Sequence, residues 1–432
     1  MAPYVIGLLG IAVLLMLIIL RMWIGVAMGL VGIAGLILLR GVNPMLAMIA
    51  EVPFGQVNSY TLTVVPMFTL MGMVIAESKI GPGLFQACNA WLGRRRGGLA
   101  SATVVTSGLL GAICGSHVVG TVILSKVALP EMKRYNYDEP FAAATVAAGA
   151  PLSIIIPPSI PLIIYGIITE QPIGKLFMSG IIPGLLMILI FVAIIVFTVG
   201  RHPEMKNMRG EKISLKEKLK QTLGVLPMVV LFIVILGGVY TGVFTTTQSG
   251  AIGSIGSVII ALSYKAINGK KLWVALRESA ATIGMVFAML MGTYIFIRFI
   301  TLSQLPHVIS GFLVSIDAPL PLMLLFLAIL YILLGMFLPE IPMIILTVPV
   351  LFPGLMAIGL DPIWLGMYLV LMMALGAITP PIGMIVFIVS GLSDVPVPKL
   401  FKAVTPFIVG DLIVILLICI FPALCTWIPS LM

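Results

Sequence analysis

Hydrophobic residues fill most of the chain in long blocks that short polar segments separate. A helix needs about 20 mostly apolar residues to cross a bilayer, so each block of that length predicts a membrane-spanning helix. Their number predicts an all-α polytopic membrane protein. We predict ten crossings, at residues 4–20, 23–40, 59–78, 140–168, 176–199, 225–243, 249–264, 279–301, 363–392 and 403–425.

The basic residues indicate how these crossings are oriented. Of the 24 Lys and Arg residues, all but Arg40, Lys175 and Arg298 fall on one side of the predicted membrane. Loops on the cytoplasmic side collect Lys and Arg, so that side is predicted to be cytoplasmic. The segment 201–223 is then a basic cytoplasmic linker, and both termini face the periplasm of a bacterial inner membrane.

Two further apolar blocks, 99–129 and 318–352, do not fit as simple crossings. The first lies between basic clusters at 94–96 and 133–134, which are both on the cytoplasmic side. The block must therefore return to the side it left, yet it is too short for two crossings of about 20 residues each. It predicts a re-entrant hairpin with its tip at residues 114–117, buried in protein or lining a cavity.

The chain also contains an internal repeat. Each half, 1–200 and 224–432, has five predicted crossings and one hairpin. Because five is odd, the second half enters the membrane from the opposite side and has the inverted orientation. Inverted repeats are typical of secondary transporters, whose binding sites lie between the repeats near the middle of the membrane. An offset of 223 residues places Pro130 on Pro353, Asp138 on Asp361, and Pro157-Pro158 on Pro380-Pro381.

The paired prolines interrupt two predicted crossings, 140–168 and 363–392. Proline removes a backbone donor and clashes with the preceding turn, so two in a row open a helix and free several carbonyl groups. Freed carbonyls beside hydroxyl groups suit a small cation such as Na⁺, and the N-termini of half-helices suit an anion. The hydroxyl groups near these breaks and the first tip are those of Ser116, Ser153, Ser159 and Thr379.

Composition narrows the possible functions. The chain is 61% hydrophobic and only 9% charged, which excludes a soluble enzyme. The net charge of +9 does not predict a nucleic-acid partner, because the basic residues label one face of the bilayer. No zinc-protease, serine-hydrolase or paired-aspartate motif occurs in a crossing, so we predict that the protein is not an enzyme and uses no organic cofactor.

Few ionisable residues remain within the membrane, and two of them match at the offset of 223. His117 lies at the tip of the first hairpin and Glu340 at the turn of the second. Ionisable residues at this depth are functional candidates by default. His117 is a candidate for binding a carboxylate, and a hydrogen bond that only fixes the tip is the alternative.

Four sequence motifs stand out along the chain: IIIPPSIPLIIYG (154–166), GGVYTGVFTTTQ (237–248), LTVPVLFP (346–353) and GAITPPIGM (376–384). With these motifs the sequence resembles, over essentially its whole length, the large membrane subunit of tripartite ATP-independent periplasmic (TRAP) transporters, of the dicarboxylate-carrier M type. The resemblance implies an elevator-type transporter with a scaffold and a moving transport domain that contains the hairpins and broken helices.

The resemblance also implies a function and partners. Na⁺ drives import of an organic acid, such as a C4-dicarboxylate or sialic acid, which a soluble periplasmic binding protein delivers. A small four-helix membrane subunit of the Q type pairs with the large one in the lipid bilayer. A stand-alone sodium symporter for dicarboxylates or citrate remains an alternative, and a channel or scaffold component is a weaker one, because a scaffold gains nothing from two broken helices.

The implied site residues follow from the matching positions. The implied sodium ligands are Cys114, Gly115, Ser116, Gly149 and Ser153 for one ion, and Gly335, Gly376, Thr379 and Pro380 for a second. The implied substrate site, between the two tips, contains His117, Pro157, Pro158, Ser159, Glu340 and Pro381. The first tip departs from the family's usual Ser-Gly-Ser-Ser, since it reads Cys114-Gly115-Ser116-His117.

Overall fold

The computed structural model describes residues 2–115, 117–201, 213–316 and 319–432. All regular secondary structure in these ranges is helical, so the all-α prediction is confirmed for the described residues. Ser116 and residues 202–212 of the linker lie outside them.

The first half forms twelve described α-helices, with a short 3-10 helix, Tyr60–Thr63, before the fourth. Their bounds are Pro3–Ile19 (α1), Ile24–Arg40 (α2), Val42–Val57 (α3), Val64–Glu77 (α4), Ile80–Leu92 (α5), Gly98–Cys114 (α6), His117–Arg134 (α7), Glu139–Gly149 (α8), Leu152–Ile155 (α9), Ile160–Thr169 (α10), Ile173–Ser179 (α11) and Ile181–Arg201 (α12).

The second half forms ten α-helices within the described ranges. The first of them, α13, begins inside the segment that the sequence assigns to the linker. The bounds are Leu215–Tyr240 (α13), Thr246–Ser263 (α14), Gly269–Leu302 (α15), Leu305–Ile316 (α16), Leu320–Gly335 (α17), Glu340–Ala357 (α18), Pro362–Gly376 (α19), Met384–Ser393 (α20), Val397–Ile420 (α21) and Ala423–Ser430 (α22).

Seven helical segments of the described chain are long and apolar enough to cross a membrane. Six shorter apolar helices, α1 and α2 among them, accompany these segments. The longest, α15, has 34 residues, which is about 50 Å at 1.5 Å per residue and exceeds the hydrocarbon core of about 30 Å. The chain is therefore a multi-pass membrane protein.

Both helices that contain paired prolines are interrupted. Ten residues separate the end of α8 from the start of α10, and the short α9 lies between them. The second interruption, between α19 and α20, spans residues 377–383 and contains Gly383 in the left-handed region, at φ +49°. Both Pro-Pro peptide bonds are cis.

Aspartates start the two interrupted helices in the same way. The side chain of Asp138 accepts a hydrogen bond from the backbone N–H of Phe141 at 3.0 Å, and Asp361 accepts one from Trp364 at 2.8 Å. Each thereby satisfies one of the N–H groups that a helix start leaves free. Beyond these caps, α8 from Phe141 and α19 from Ile363 are buried throughout, so the interrupted helices form the centre of the molecule.

The helices that correspond to the predicted hairpins, α6 with α7 and α17 with α18, pack across the two halves. The first arms, α6 and α17, pack on the interrupted helices of their own halves, α8 and α19. The second arms, α7 and α18, pack on the far segments of the opposite halves, α20 and α10 respectively. This crossed packing brings the hairpins of both halves to the same central region.

The outer helices pack backbone to backbone at glycines. Helix α2 lies along α15, and a Cβ atom placed at Gly292 would overlap the carbonyl oxygen of Gly25. A Cβ atom at Gly25 would in turn lie 2.8 Å from the Cα of Met289. Small residues allow membrane helices to approach this closely, since packing rather than the hydrophobic effect holds such helices together.

Candidate functional site

The two hairpin tips meet at a pair of ionisable residues. His117 is the first residue of α7 and Glu340 is the first residue of α18. Their side chains approach with His117 Nε2 3.0 Å from Glu340 Oε2. The residues are only 2% and 7% exposed. The structure therefore joins the two residues that the repeat offset pairs in the sequence.

This contact leaves hydrogen-bonding capacity free. The Nε2 and Oε2 atoms lie at ion-pair distance, but they are not aligned as a hydrogen bond, and Nδ1 of His117 has no hydrogen-bond partner among the described residues. A buried polar group without a partner carries a desolvation cost of about 1–3 kcal/mol. A ligand that supplies partners between the tips would recover that cost.

Three helix N-termini come together at this place. Helices α7 and α18 begin at the paired residues themselves. A Cβ atom at Gly115 would lie 3.1 Å from the carbonyl oxygen of Pro158 and 3.7 Å from the backbone N of Ile160, where α10 begins. Helix N-termini carry partial positive charge and free N–H groups, so their convergence favours an anion.

Ser153 lies between the two arms of the first hairpin. It is fully buried, and its hydroxyl has no hydrogen-bond partner among the described residues. A Cβ atom at Gly111 of α6 would overlap the Cα of Ser153, and one at Gly120 of α7 would lie 2.8 Å from its Oγ. The two glycines thus allow the arms to close on this serine, and its unpartnered hydroxyl is free to bind a cation or a water molecule.

The other predicted ligands of the first sodium site differ in whether their oxygen atoms already accept hydrogen bonds. The carbonyl of Gly149 accepts a hydrogen bond from Ser107 Oγ at 2.5 Å, so this carbonyl is partly engaged. Gly115 directly follows α6 and lies in the left-handed region, at φ +62°, which glycine adopts without strain. Cys114 is the last residue of α6, and Ser116 lies outside the described residues.

The predicted second sodium site is a close approach of backbones. A Cβ atom at Gly335 would lie 3.2 Å from the carbonyl oxygen of Met373 and 3.3 Å from the Cα of Gly376. The hydroxyl of Thr379 donates to the carbonyl of Leu375 at 2.6 Å, which leaves its lone pairs available. The structure thus places α17 against the end of α19, with Thr379 in the break that follows.

The side chain of Ser159 forms hydrogen bonds with backbone groups on both sides of the paired prolines in the first break. Its hydroxyl donates to the carbonyl of Ile154 at 2.5 Å and accepts from the N–H of Leu162 at 3.4 Å. This serine therefore satisfies backbone groups that the prolines leave open, and the substrate role predicted for it would compete with that use.

The proline pairs stand in different environments. Pro157 and Pro158 are buried, whereas Pro380 and Pro381 are exposed. The two breaks, which match in sequence, are therefore unequal in the structure.

Several contacts near the tips were not predicted. Gly111, Gly120 and Ser107 line the first hairpin, and their only signal in the sequence is the small size of residues flanking the tip. The hydroxyl of Tyr165 donates to the carbonyl of Pro362 at 2.7 Å and ties α10 to the start of α19. No pattern within one half predicts such a bond between the halves.

Comparison with known proteins identifies the family. Residues 11–424 match the family described as the tripartite ATP-independent periplasmic transporter, DctM component. The chain is 31% identical over 378 residues to the C4-dicarboxylate TRAP transporter large permease protein DctM of Pseudomonas aeruginosa, covering 87% of this chain and 88% of that protein. It is 30% identical over 410 residues to the sialic acid TRAP transporter large permease protein SiaM of Vibrio cholerae, covering 94% and 95% respectively.

A solved structure has a similar fold. The YdaH transporter of Alcanivorax borkumensis superimposes with a TM-score of 0.66 at 13% sequence identity, covering 98% of this chain and all of that one. At this identity the likeness concerns the fold alone. The family match and the two relatives go further, and they show that this chain is a transporter permease rather than an enzyme and belongs to the DctM component family of the tripartite ATP-independent periplasmic transporters.

Proposed function

We propose that this permease imports an organic acid across the bacterial inner membrane, driven by Na⁺, after a periplasmic binding protein delivers the acid. The observation that carries the proposal is the meeting of three helix N-termini at the buried His117–Glu340 pair. A carboxylate fits this place, because partial positive charges and an imidazole donor surround it.

The relatives' names support a carboxylate as substrate. Large permeases of transporters for C4-dicarboxylates and for sialic acid are both about 30% identical to this chain. In the proposed site His117 binds the carboxylate. The substrate lies between the tips and the breaks, with Pro157, Pro158, Ser159, Glu340 and Pro381 as its remaining neighbours.

Sodium is the proposed coupling ion. The unpartnered hydroxyl of Ser153 supports a first ion at the first hairpin, together with Gly115, Gly149 and the tip residues Cys114 and Ser116. The backbones at Gly335 and Gly376, with Thr379 and Pro380, are the proposed second site. Oxygen ligands from unwound helices are how secondary transporters hold such ions.

The helix boundaries support the repeat, and we propose that it is inverted and moves as an elevator. Helices α7 and α18 begin 223 residues apart, as do the capping aspartates of α8 and α19. We assign the hairpins and interrupted helices to the moving domain. We add α12 and α21, because these helices pack on α6 and α8. Helices α2, α4, α14 and α15, which pack on one another, belong to the proposed scaffold.

Replacing Ser153 with alanine tests the first sodium site. The substitution is expected to raise the Na⁺ concentration for half-maximal uptake by about ten- to a hundredfold, since one interaction with a charged group is worth about 1.5–3 kcal/mol. Uptake is measured in proteoliposomes over a range of Na⁺ gradients. The matched control is Ser279→Ala, which removes a buried hydroxyl that donates within α15, to Ala275 at 2.7 Å. Equal sodium dependence of both variants would refute the assignment.

Cysteine labelling at the two ends of α13 tests the orientation. In a background with the four native cysteines replaced, Lys216→Cys is expected to react with a membrane-impermeant maleimide only from the cytoplasmic side. Thr241→Cys is expected to react only from outside, since 25 residues of helix span about 37 Å. Reaction of Lys216→Cys in intact cells would reverse the proposed topology and place the termini in the cytoplasm.

Reconstitution tests the proposed function as a whole. The permease is placed in proteoliposomes with its small membrane subunit, and uptake of a carboxylate is measured with and without a Na⁺ gradient and with or without the binding protein. Uptake is expected only when the Na⁺ gradient and the binding protein are both present. Uptake that persists without the binding protein would instead show a stand-alone sodium symporter, and uptake without a gradient would refute sodium coupling.

A further inference from the structure

We infer that Glu340 makes this permease select acids that carry a hydrogen-bond donor, a hydroxyl or an ammonium group, on the carbon next to the carboxylate. This inference rests on the proposed function, because it requires the substrate to bind between the tips. It extends the proposed function by naming the substrate class and the residue that recognises the donor group.

The two tips carry one basic side chain, His117, and one acidic side chain, Glu340. The pair supplies one basic and one acidic side chain at 3.0 Å. Along α17 and α18 no other Lys, Arg, His, Asp or Glu occurs, and the nearest basic residue on α7 is Lys126, nine residues or about 13 Å further along the helix. Asp411 lies on α21, a helix that packs on α8 and α12. The described tips therefore offer His117 as their one basic side chain.

A substrate carboxylate that binds His117 separates it from Glu340. Oxygen Oε2 of Glu340 has no hydrogen-bond partner among the described residues, so His117 is its one close polar neighbour there. Removing one partner from a buried ion pair is strongly unfavourable, because the remaining charge stays buried without compensation. A ligand with a donor beside its carboxylate replaces both halves of the original contact: its carboxylate meets His117 and its donor meets Glu340.

An unsubstituted acid leaves Glu340 without a partner. A second carboxylate on the ligand that took the place of the donor would bring two like charges together in a buried site, which is less favourable still. The geometry thus predicts that the hydroxyl or ammonium group raises affinity, whatever the length of the rest of the acid.

The test compares acids that differ only by the donor. The purified permease with its small subunit is titrated, in Na⁺, with propionate, L-lactate and L-alanine, and with succinate and L-malate. Thermal stabilisation gives the dissociation constants. Lactate or alanine is expected to bind at least about tenfold more tightly than propionate, and malate more tightly than succinate by a similar factor. Lactate and alanine distinguish a hydroxyl from an ammonium donor.

Variants of Glu340 connect the preference to this residue. Glu340→Gln keeps the size and an acceptor but loses the charge, and it is expected to reduce the preference. Glu340→Met is expected to remove it while binding of propionate remains. Exchanging the pair, with His117→Glu and Glu340→His, keeps the contact if single variants fail to fold. Glu278→Gln, at an exposed position of α15, is the control and is expected to keep the full preference.

The outcomes separate the inference from the proposed function. Equal binding of acids with and without the donor, or a preference unchanged in Glu340→Met, would overturn the inference and leave the proposed site intact. Absence of stabilisation by every acid in the unaltered complex would overturn both.

Discussion

Replacing His117 with leucine is expected to lower sodium-dependent uptake at least about a hundredfold and to destabilise the folded permease. The carboxylate of Glu340 would stay buried at 7% exposure and lose the group 3.0 Å from it. Removing one partner of a buried pair costs about 3–5 kcal/mol, whereas replacing both with apolar residues is often neutral or stabilising. The double variant with leucine at both positions is therefore expected to recover thermal stability and not uptake.

Two measurements on the same purified variants check this expectation. Thermal unfolding reports the stability of the tip contact, and uptake in proteoliposomes reports the site. Recovered stability without recovered uptake separates the functional role of the pair from its structural role. Near-normal uptake in the double variant would show that the pair only fixes the tips.

Replacing Gly292 with alanine is expected to destabilise the folded permease and to lower its yield and unfolding temperature. A single methyl group there would overlap the backbone carbonyl of Gly25, and backbone cannot rotate aside as a side chain can. Forcing atoms into a packed contact costs about 1–3 kcal/mol, and we expect the upper end of that range because both partners are backbone. The yield of monodisperse protein and its unfolding temperature are the measurements.

Gly284→Ala is the matched control for that substitution. Gly284 lies in the same helix, and a Cβ atom there would have no neighbour within 4 Å. It is expected to leave yield and unfolding temperature unchanged. A normal unfolding temperature for Gly292→Ala would show that α2 and α15 can separate without loss of the fold.

The central elements could be predicted from the sequence because their signals are local. Paired prolines mark both interruptions, and hydropathy between basic clusters indicates the first hairpin. The helices around the tips begin where the repeat offset places them, at His117 and Glu340. Hydropathy does not show that a polar stretch continues the helix of the crossing that follows it, and so the crossing predicted at 279–301 covers only part of α15, which begins at Gly269.

Contacts between the halves could not be predicted in the same way. The offset pairs His117 with Glu340 but does not say that they touch, since equivalent positions in a repeat need not be close. Likewise, Ser159 and Ser153 are both predicted as hydroxyl groups beside the first break, and nothing in the sequence distinguishes them. Only the structure shows that Ser159 is engaged with the backbone, whereas Ser153 has no partner among the described residues.

The unequal exposure of the two proline pairs has a consequence for how the molecule changes state. The same local motif is buried at Pro157-Pro158 and exposed at Pro380-Pro381. Its environment is therefore set by the arrangement of the halves and not by the motif. The proposed inverted repeat implies that the opposite state exchanges the two exposures. The accessibility of the two proline pairs is therefore expected to report which state the permease occupies.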